Sequence, residues 1–260
     1  MRILLSLRPQ QQSTRVPLNY AYPLSAAIYR ILQQASGEYA SFLHDRGYEA
    51  ASGRLMKLFT FSKLWIPGVR RDGGTLRGTQ ECWKLQVGSP MHDEFVRNFV
   101  LGIFESSGII IASRGHRAEF LVEEVQSLAR PEFGEVTRCK CLSPIVVSTM
   151  LEKDGRLLPY YYRPHDEGIS MAIRNNLLEK YGILHGGEPA DDRFVFRLDP
   201  AAKPKSKLIK LKEGTREETH IKAFESHFIM EGSTELMQTA WECGIGEHTS
   251  QGFGMVDVVT

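Results

Sequence analysis

The chain has 260 residues, 42% hydrophobic and 24% charged, an ordinary globular composition with enough apolar material for a core. Its longest apolar runs, such as residues 109–112, fall far short of the ~20 residues of a membrane-spanning helix, and the opening MRILLSLRPQ is too short an apolar stretch for a secretory signal. Thirty-two Lys and Arg against 31 Asp and Glu give a net charge of +1, which announces no polyanion partner, and four cysteines make no disulfide framework, so a reducing cytoplasm is expected.

In chain order, residues 3–7 are short and apolar, a strand. Leu24, Ala27, Ile28, Ile31 and Leu32 recur at i, i+3, i+4, i+7 and i+8, with Pro23 near the first turn, which predicts an amphipathic helix. Residues 58–66 alternate and are rich in aromatics, a strand. A turn at Arg71-Asp72-Gly73-Gly74 leads to a second strand at 82–87. Phe95, Phe99, Ile103 and Phe104 pattern a second helix, stopped near Gly108, and strands follow at 109–112 and 118–126. The first half therefore reads β-α-β-β-α-β.

The order then returns. A strand is expected at 145–150, a helix at 168–181 ending before Gly182, a strand at 193–198 and a long or bent strand at 219–230. A helix at 231–243 carries Met237, Ala240 and Trp241 on one face, and a strand at 255–259 closes the chain. The expected fold class is α+β, two tandem ferredoxin-like (RRM-like) domains. They are residues 1–130 and residues 135–260, with Pro131 and Gly134 punctuating the boundary.

Near the C-terminus, Gly244, Gly246, Gly252 and Gly254 fall within eleven residues and enclose His248, Thr249, Ser250 and Gln251. Glycines permit positive φ and close backbone approach, and such loops can cradle phosphate oxygens. A helix precedes this loop and a strand follows, so it is neither a Walker A loop nor a dinucleotide fingerprint. The plainer reading is a tight helix-to-strand connection with Gly244 as the helix cap.

Gly-Ile-Gly, five residues, then Gly-Phe-Gly-Met-Val at the end of a double ferredoxin-like chain resembles the RAMP superfamily. Within it, the chain resembles the CRISPR repeat-processing endoribonucleases over nearly its whole length. The stretches Pro17-Leu18-Asn19-Tyr20 through Ala27-Ile28-Tyr29, Phe42-Leu43-His44-Asp45, Lys57-Leu58-Phe59-Thr60-Phe61-Ser62 and Leu142-Ser143-Pro144-Ile145 share in the likeness.

The resemblance implies a metal-independent cleavage in which a ribose 2′-OH attacks the adjacent phosphate, leaving a 2′,3′-cyclic phosphate and a 5′-OH. That chemistry needs a proton acceptor, a proton donor and charge stabilisation. Tyr29, His44 and Lys57 stand at the matching positions. His44 suits proton transfer near neutrality and is the expected general acid, with a share in base chemistry left open between it and Tyr29. Tyr29 lies just off the apolar stripe of its helix, and a phenol acts as a base at neutrality only if a cation lowers its pKa. Lys57 would stabilise phosphate charge, a part that Arg54 and Lys63 offer too. The intervening residues 47–56 look longer than the family's shortest versions.

Residues 54–84 carry seven cations against two acids (+5), and residues 203–212 carry five lysines and no acid (+5), which leaves −9 for the rest. Arg70, Arg71, Lys203, Lys205 and Lys207 are thus candidate phosphate grips, although basic runs are weak signals. Phe59 and Phe61 read as core rather than as base-stacking residues. No metal site is evident: Cys139-Lys140-Cys141 has the wrong spacing for a zinc knuckle. No cofactor is expected. Expected partners are precursor and mature CRISPR RNA, with effector-complex subunits and a second copy left open. The competing readings are a non-catalytic RAMP subunit and an RNA-binding module unrelated to CRISPR. The trio speaks against the first and the glycine loop against the second.

Overall fold

Arg2–Pro9 is the central strand of the first sheet in a computed structural model that describes residues 1–259. Its alternate residues Ile3, Leu5 and Leu7 are buried, the period-2 pattern of a half-buried strand. It pairs antiparallel with Trp83–Gly88 on one side and His116–Leu128 on the other. Thr60–Phe61 and Gly108–Ser113 form the two edges.

Helix α1 (Ala21–Ala35) buries Leu24, Ala27, Ile28, Ile31 and Leu32, the predicted stripe. Pro23 is tolerated because its missing N–H falls in the first turn. Ser36 breaks the helix in an extended conformation, and its hydroxyl accepts from the Tyr39 amide at 3.2 Å to cap α2 (Gly37–Asp45). Helix α3 (Arg97–Ser106) packs beside α1 over a core that includes Phe59, Phe61, Phe95 and Phe99. Phe59 and Phe61 therefore serve the core, as expected.

The second sheet runs Phe194–Leu198, His227–Gly232, Val136–Cys141, Val256–Val258. Helices α4 (Ile169–His185) and α5 (Thr234–Cys243) pack over a core containing Phe196, Phe228, Leu236 and Met237. Both halves thus place their first strand between the third and the last, the ferredoxin-like order. Two hairpins extend the second half: Ser148–Lys153 with Arg156–Tyr161, and Lys205–Leu211 with Thr219–Glu225.

Several elements differ from expectation. The first strand of the second half is Val136–Cys141, not 145–150. Its outward Arg138 and Lys140 mask the alternation, while the apolar Ile145 and Val146 make isolated bridges to Phe224 and Gly246. Residues 219–230 form two strands in different sheets, divided at Ser226. Residues 58–66 contribute only Thr60–Phe61 and a bridge from Trp65 to Lys84. Helix α4 runs through Gly182 and stops at Gly186, which supplies the left-handed cap. Helix α5 begins at Thr234 because Ser233 caps it, and Phe104 is exposed rather than on the buried face of α3.

Arg2 joins the halves. It is wholly buried, its Nη2 donates to the carbonyls of Trp241 and Val256 at 2.5 Å each, and its guanidinium lies 4.1 Å from the Trp241 ring centroid. Cys139 and Cys243 are buried in the second half, and burial pushes both thiols up to about 12. A thiol ionises near 9 once unfolded. Each buried thiol therefore contributes stability that is complete below pH 9 and is lost between pH 9 and 12, at about 1.4 kcal/mol per pH unit. Thermal melts across this range should show a falling midpoint, less steep in Cys243→Ala.

Candidate active site

Tyr29 lies in the middle of α1, His44 in the last turn of α2, and Lys57 just ahead of Thr60–Phe61. The break at Ser36 folds α2 back on α1, so the rings of Tyr29 and His44 meet edge-on with centroids 5.4 Å apart. Residues 47–56 form a small hairpin, Tyr48–Glu49 with Leu55–Met56, which returns the chain to α2. Lys57 Nζ then donates to the His44 carbonyl at 2.7 Å. Three residues from separate segments thus share one patch.

His44 is exposed, and its Nδ1 lies 2.8 Å from Asp45 Oδ1. A carboxylate can only accept, so Nδ1 carries the hydrogen and Nε2 is left for a substrate. Tyr29 is half-buried and also edge-on to Phe59, centroids 5.7 Å apart. Burial pushes its phenol up to about 12, offset only in part by a hydrogen bond with the Ser250 side chain. Burial also lowers the Lys57 pKa, opposed by the charge of Asp45. Lys57 is already engaged at the His44 carbonyl. One carbonyl leaves two of its three N–H donors free for a phosphate, but among the described residues no cation acts on the Tyr29 phenol, which as a neutral group can donate a hydrogen bond.

The glycine loop corrects the sequence reading. Gly244, Gly246, Gly252 and Gly254 are all buried, as is Thr249. The amides of Gly252 and Gly254 donate to the carbonyls of Thr249 and Pro144, so they offer nothing to a phosphate. Gly246 has φ +75°, and a Cβ there would sit 2.1 Å from the Val146 carbonyl oxygen. The glycines shape the loop by letting two stretches of backbone touch. What reaches the surface is its tip: His248 is exposed, and Ser250 and Gln251 are half-buried. His248 Nδ1 lies 3.0 Å from Gln251 Oε1.

Lys180, on α4, was not singled out in the sequence. It is 3% exposed, and its Nζ donates to the carbonyls of Gly244 and Gly246 at 2.7 and 2.8 Å. Desolvation draws its pKa down to about 8. It fastens the glycine loop to α4, and a lysine in a helix gives no sequence signal of that reach. The loop, α4 and the Lys57 segment enclose a cleft of about 350 Å³, lined by Arg54, Lys57, Asn176, Lys180, His248 and Ser250 among others. Arg54 spans its mouth, with Nη1 3.1 Å from Glu179 and Nη2 3.2 Å from Glu247. Ser52 and Ser148 donate to these two carboxylates at 2.6 Å.

The basic segments lie elsewhere. Arg70 and Arg71 are exposed on a strand of a separate three-stranded sheet, and neither they nor Lys203, Lys205 and Lys207 line the cleft beside Lys57. The lysine run is largely neutralised across its own hairpin: Lys207 faces Glu225 at 3.8 Å, Lys210 lies 3.6 and 3.4 Å from Glu213 and Glu218, and Lys212 pairs with Glu217. Among the described residues, Lys203 and Lys205 have no ion-pair partner. No group of three or more His, Cys, Asp or Glu among the described residues is placed to hold a metal ion, and no described helix is long and apolar enough to cross a membrane.

Two ferredoxin-like units, bridged by a buried glycine-rich loop whose tip adjoins the Tyr29–His44–Lys57 patch, make a RAMP-like fold. Residues 15–126 match the family described as CRISPR-associated protein Cas6, N-terminal, and residues 128–258 match CRISPR associated protein Cas6, C-terminal. The chain belongs to the Cas6 family of CRISPR repeat-processing proteins. It is 32% identical to CRISPR-associated endoribonuclease Cas6 1 of Methanocaldococcus jannaschii, over 98% of this chain and 92% of that relative. It is 25% identical to CRISPR-associated endoribonuclease Cas6 of Pyrococcus furiosus, over 99% of this chain and 90% of that one. A solved structure of a Cas6-related gene product from Pyrococcus furiosus superposes with a TM-score of 0.82 at 26% identity, covering 100% of this chain and 98% of the other.

Proposed function

We propose that this chain is an endoribonuclease that cuts CRISPR repeat RNA in precursor crRNA. The observation that carries the reading is the meeting of Tyr29, His44 and Lys57, from three separate segments, beside the exposed tip of the glycine loop. The ribose 2′-oxygen attacks the adjacent phosphorus as its proton passes to water, and the bond from phosphorus to the 5′-oxygen breaks. His44 acts as the doubly protonated imidazolium: its Nε2–H passes to the leaving oxygen, while Asp45 accepts from Nδ1–H and holds the ring in place. Lys57 stabilises the charge on the phosphoryl oxygens, and the Tyr29 phenol donates to one of them. Every step uses protein side chains, the RNA and water, so no metal enters the scheme.

The test is single-turnover cleavage of cognate repeat RNA in excess EDTA, beside the same RNA with a 2′-deoxy nucleotide at the cut. Cleavage of the first alone, with 2′,3′-cyclic phosphate and 5′-OH ends, is the expected result. Cleavage of the deoxy substrate, or a strict metal requirement, overturns the mechanism. Tight binding without cleavage supports instead a non-catalytic RNA-binding subunit.

Arg54 adds an expectation at the cleft mouth. It stands between two carboxylates that would otherwise face RNA phosphates. Arg54→Ala should therefore weaken repeat-RNA affinity roughly tenfold at low salt. Adding Glu179→Gln and Glu247→Gln to that variant should recover most of the loss in a filter-binding titration.

A further inference from the structure

A second cleft of about 420 Å³ adjoins the first and shares Arg54, Asn176, Gly246 and Glu247 with it. That volume lies within the ~300–1,000 Å³ range of small-ligand pockets. Asn176 lines both clefts and is 6% exposed, and its Oδ1, itself shielded from solvent, has no hydrogen-bond partner among the described residues. Its neighbours on α4 are satisfied: Glu179 holds Arg54 and Ser52, and Lys180 holds the glycine loop. A buried amide left unpaired is costly, and a ligand with a matching edge that draws the amide toward the cleft would recover that cost.

The walls show what kind of ligand fits. Tyr162 is half-buried and Met171 is 66% exposed on the rim, two surfaces able to cover a flat ring. Two carboxylates, Glu179 and Glu247, stand against the one guanidinium of Arg54. That is the wrong sign for a phosphate, so the uncharged part of a nucleotide belongs here. An asparagine amide offers a donor beside an acceptor, the pattern that pairs bidentately with an adenine edge. Unstacked RNA bases are commonly read in this way, between aromatic contacts and amide hydrogen bonds.

We propose that this second cleft reads the base of one nucleotide flanking the scissile phosphate, with the Asn176 amide paired to an adenine edge. The inference rests on the repeat-RNA cleavage proposed above. Its test uses repeat RNAs that carry each of the four bases, or an abasic site, at the nucleotides just before and just after the cut. These are cleaved under single-turnover conditions by wild type, Asn176→Leu and Met171→Ala. Wild type should cleave the adenine RNA at least tenfold faster, at subsaturating protein, than the abasic RNA at one of the two positions. Asn176→Leu should lose about that factor on adenine RNA and lose nothing further on abasic RNA. Met171 is a rim residue, so Met171→Ala keeps the test open if Asn176→Leu misfolds, and it should narrow the same difference. Additive effects of residue and base, or equal cleavage of all five RNAs by wild type, overturn the base-reading pocket while leaving the nuclease intact. Failure of wild type to cleave any of them overturns both.

Discussion

His44→Ala is expected to lower the single-turnover cleavage rate at saturating protein by about 10²–10⁴-fold, the range for a lost general acid. The dissociation constant for repeat RNA should change by less than about threefold, because one exposed ring is a small part of the many contacts that hold a polyanion. The geometry argues for this split. His44 is exposed at the end of α2, and among the described residues its one side-chain hydrogen bond is to its neighbour Asp45. Its removal leaves no buried partner stranded, so the fold should be undisturbed. Asp45→Asn should cause a smaller loss, since an amide can still accept from Nδ1–H but can also turn its NH₂ toward the ring and release it. An unchanged rate in His44→Ala would remove the proposed acid. A lost rate together with a lowered melting temperature would show a structural role instead.

Gly246→Ala should act through the opposite route, by displacing a loop. The position has φ +75°, and the added Cβ would lie 2.1 Å from the Val146 carbonyl oxygen. That oxygen cannot retreat freely, because it accepts from the Glu247 amide at 2.8 Å. Left-handed strain of roughly 1–2 kcal/mol adds to the clash, so a destabilisation of about 3 kcal/mol is expected. In a chain of this size that lowers the melting temperature by roughly 6–12 °C. Cleavage should fall with it, since the displaced backbone carries His248, Ser250 and Gln251. Gly73→Ala is the control, because its φ of +57° imposes backbone strain with nothing within 4 Å of the new Cβ. Similar melting temperatures for the two variants would show that the close approach to Val146 does not hold the loop.

Much of the fold is legible in local pattern. The stripe from Leu24 to Leu32 gives α1, and the alternation of Ile3, Leu5 and Leu7 gives the central strand, because burial on one face imposes a period on the chain itself. Where pattern failed, packing had overridden it. Val136–Cys141 carries Arg138 and Lys140 outward, and only its inward residues Thr137 and Cys139 are buried. Gly182 looked like a helix end, but tertiary contacts along α4 outweigh the ~1 kcal/mol that a mid-helix glycine costs.

The trio was legible only through the family likeness, and most of the supporting residues were not legible. Asp45 adjoins His44 in sequence and so was within reach of a close reading. Lys180, Glu179 and Asn176 lie on a helix of the other domain, and nothing in their local sequence marks a reach to the glycine loop, Arg54 or the clefts.

Composition and periodicity were enough for the α+β class and the doubled ferredoxin-like order, because those depend on which short segments hide one face from water. They were also enough to mark residues 244–254 as a place where backbone must come close to something. That it comes close to Val146, Pro144 and Ile245 rather than to a phosphate was decided only when the chain folded, since glycine permits an approach without specifying its partner. Charge behaves likewise. The net +1 concealed two +5 segments, but one of these is largely cancelled by glutamates of its own hairpin, and neither supplies the cleft apart from Arg54 and Lys57. Counting charges along the chain sums over sequence, whereas a polyanion meets only the charges that packing leaves side by side and unpaired.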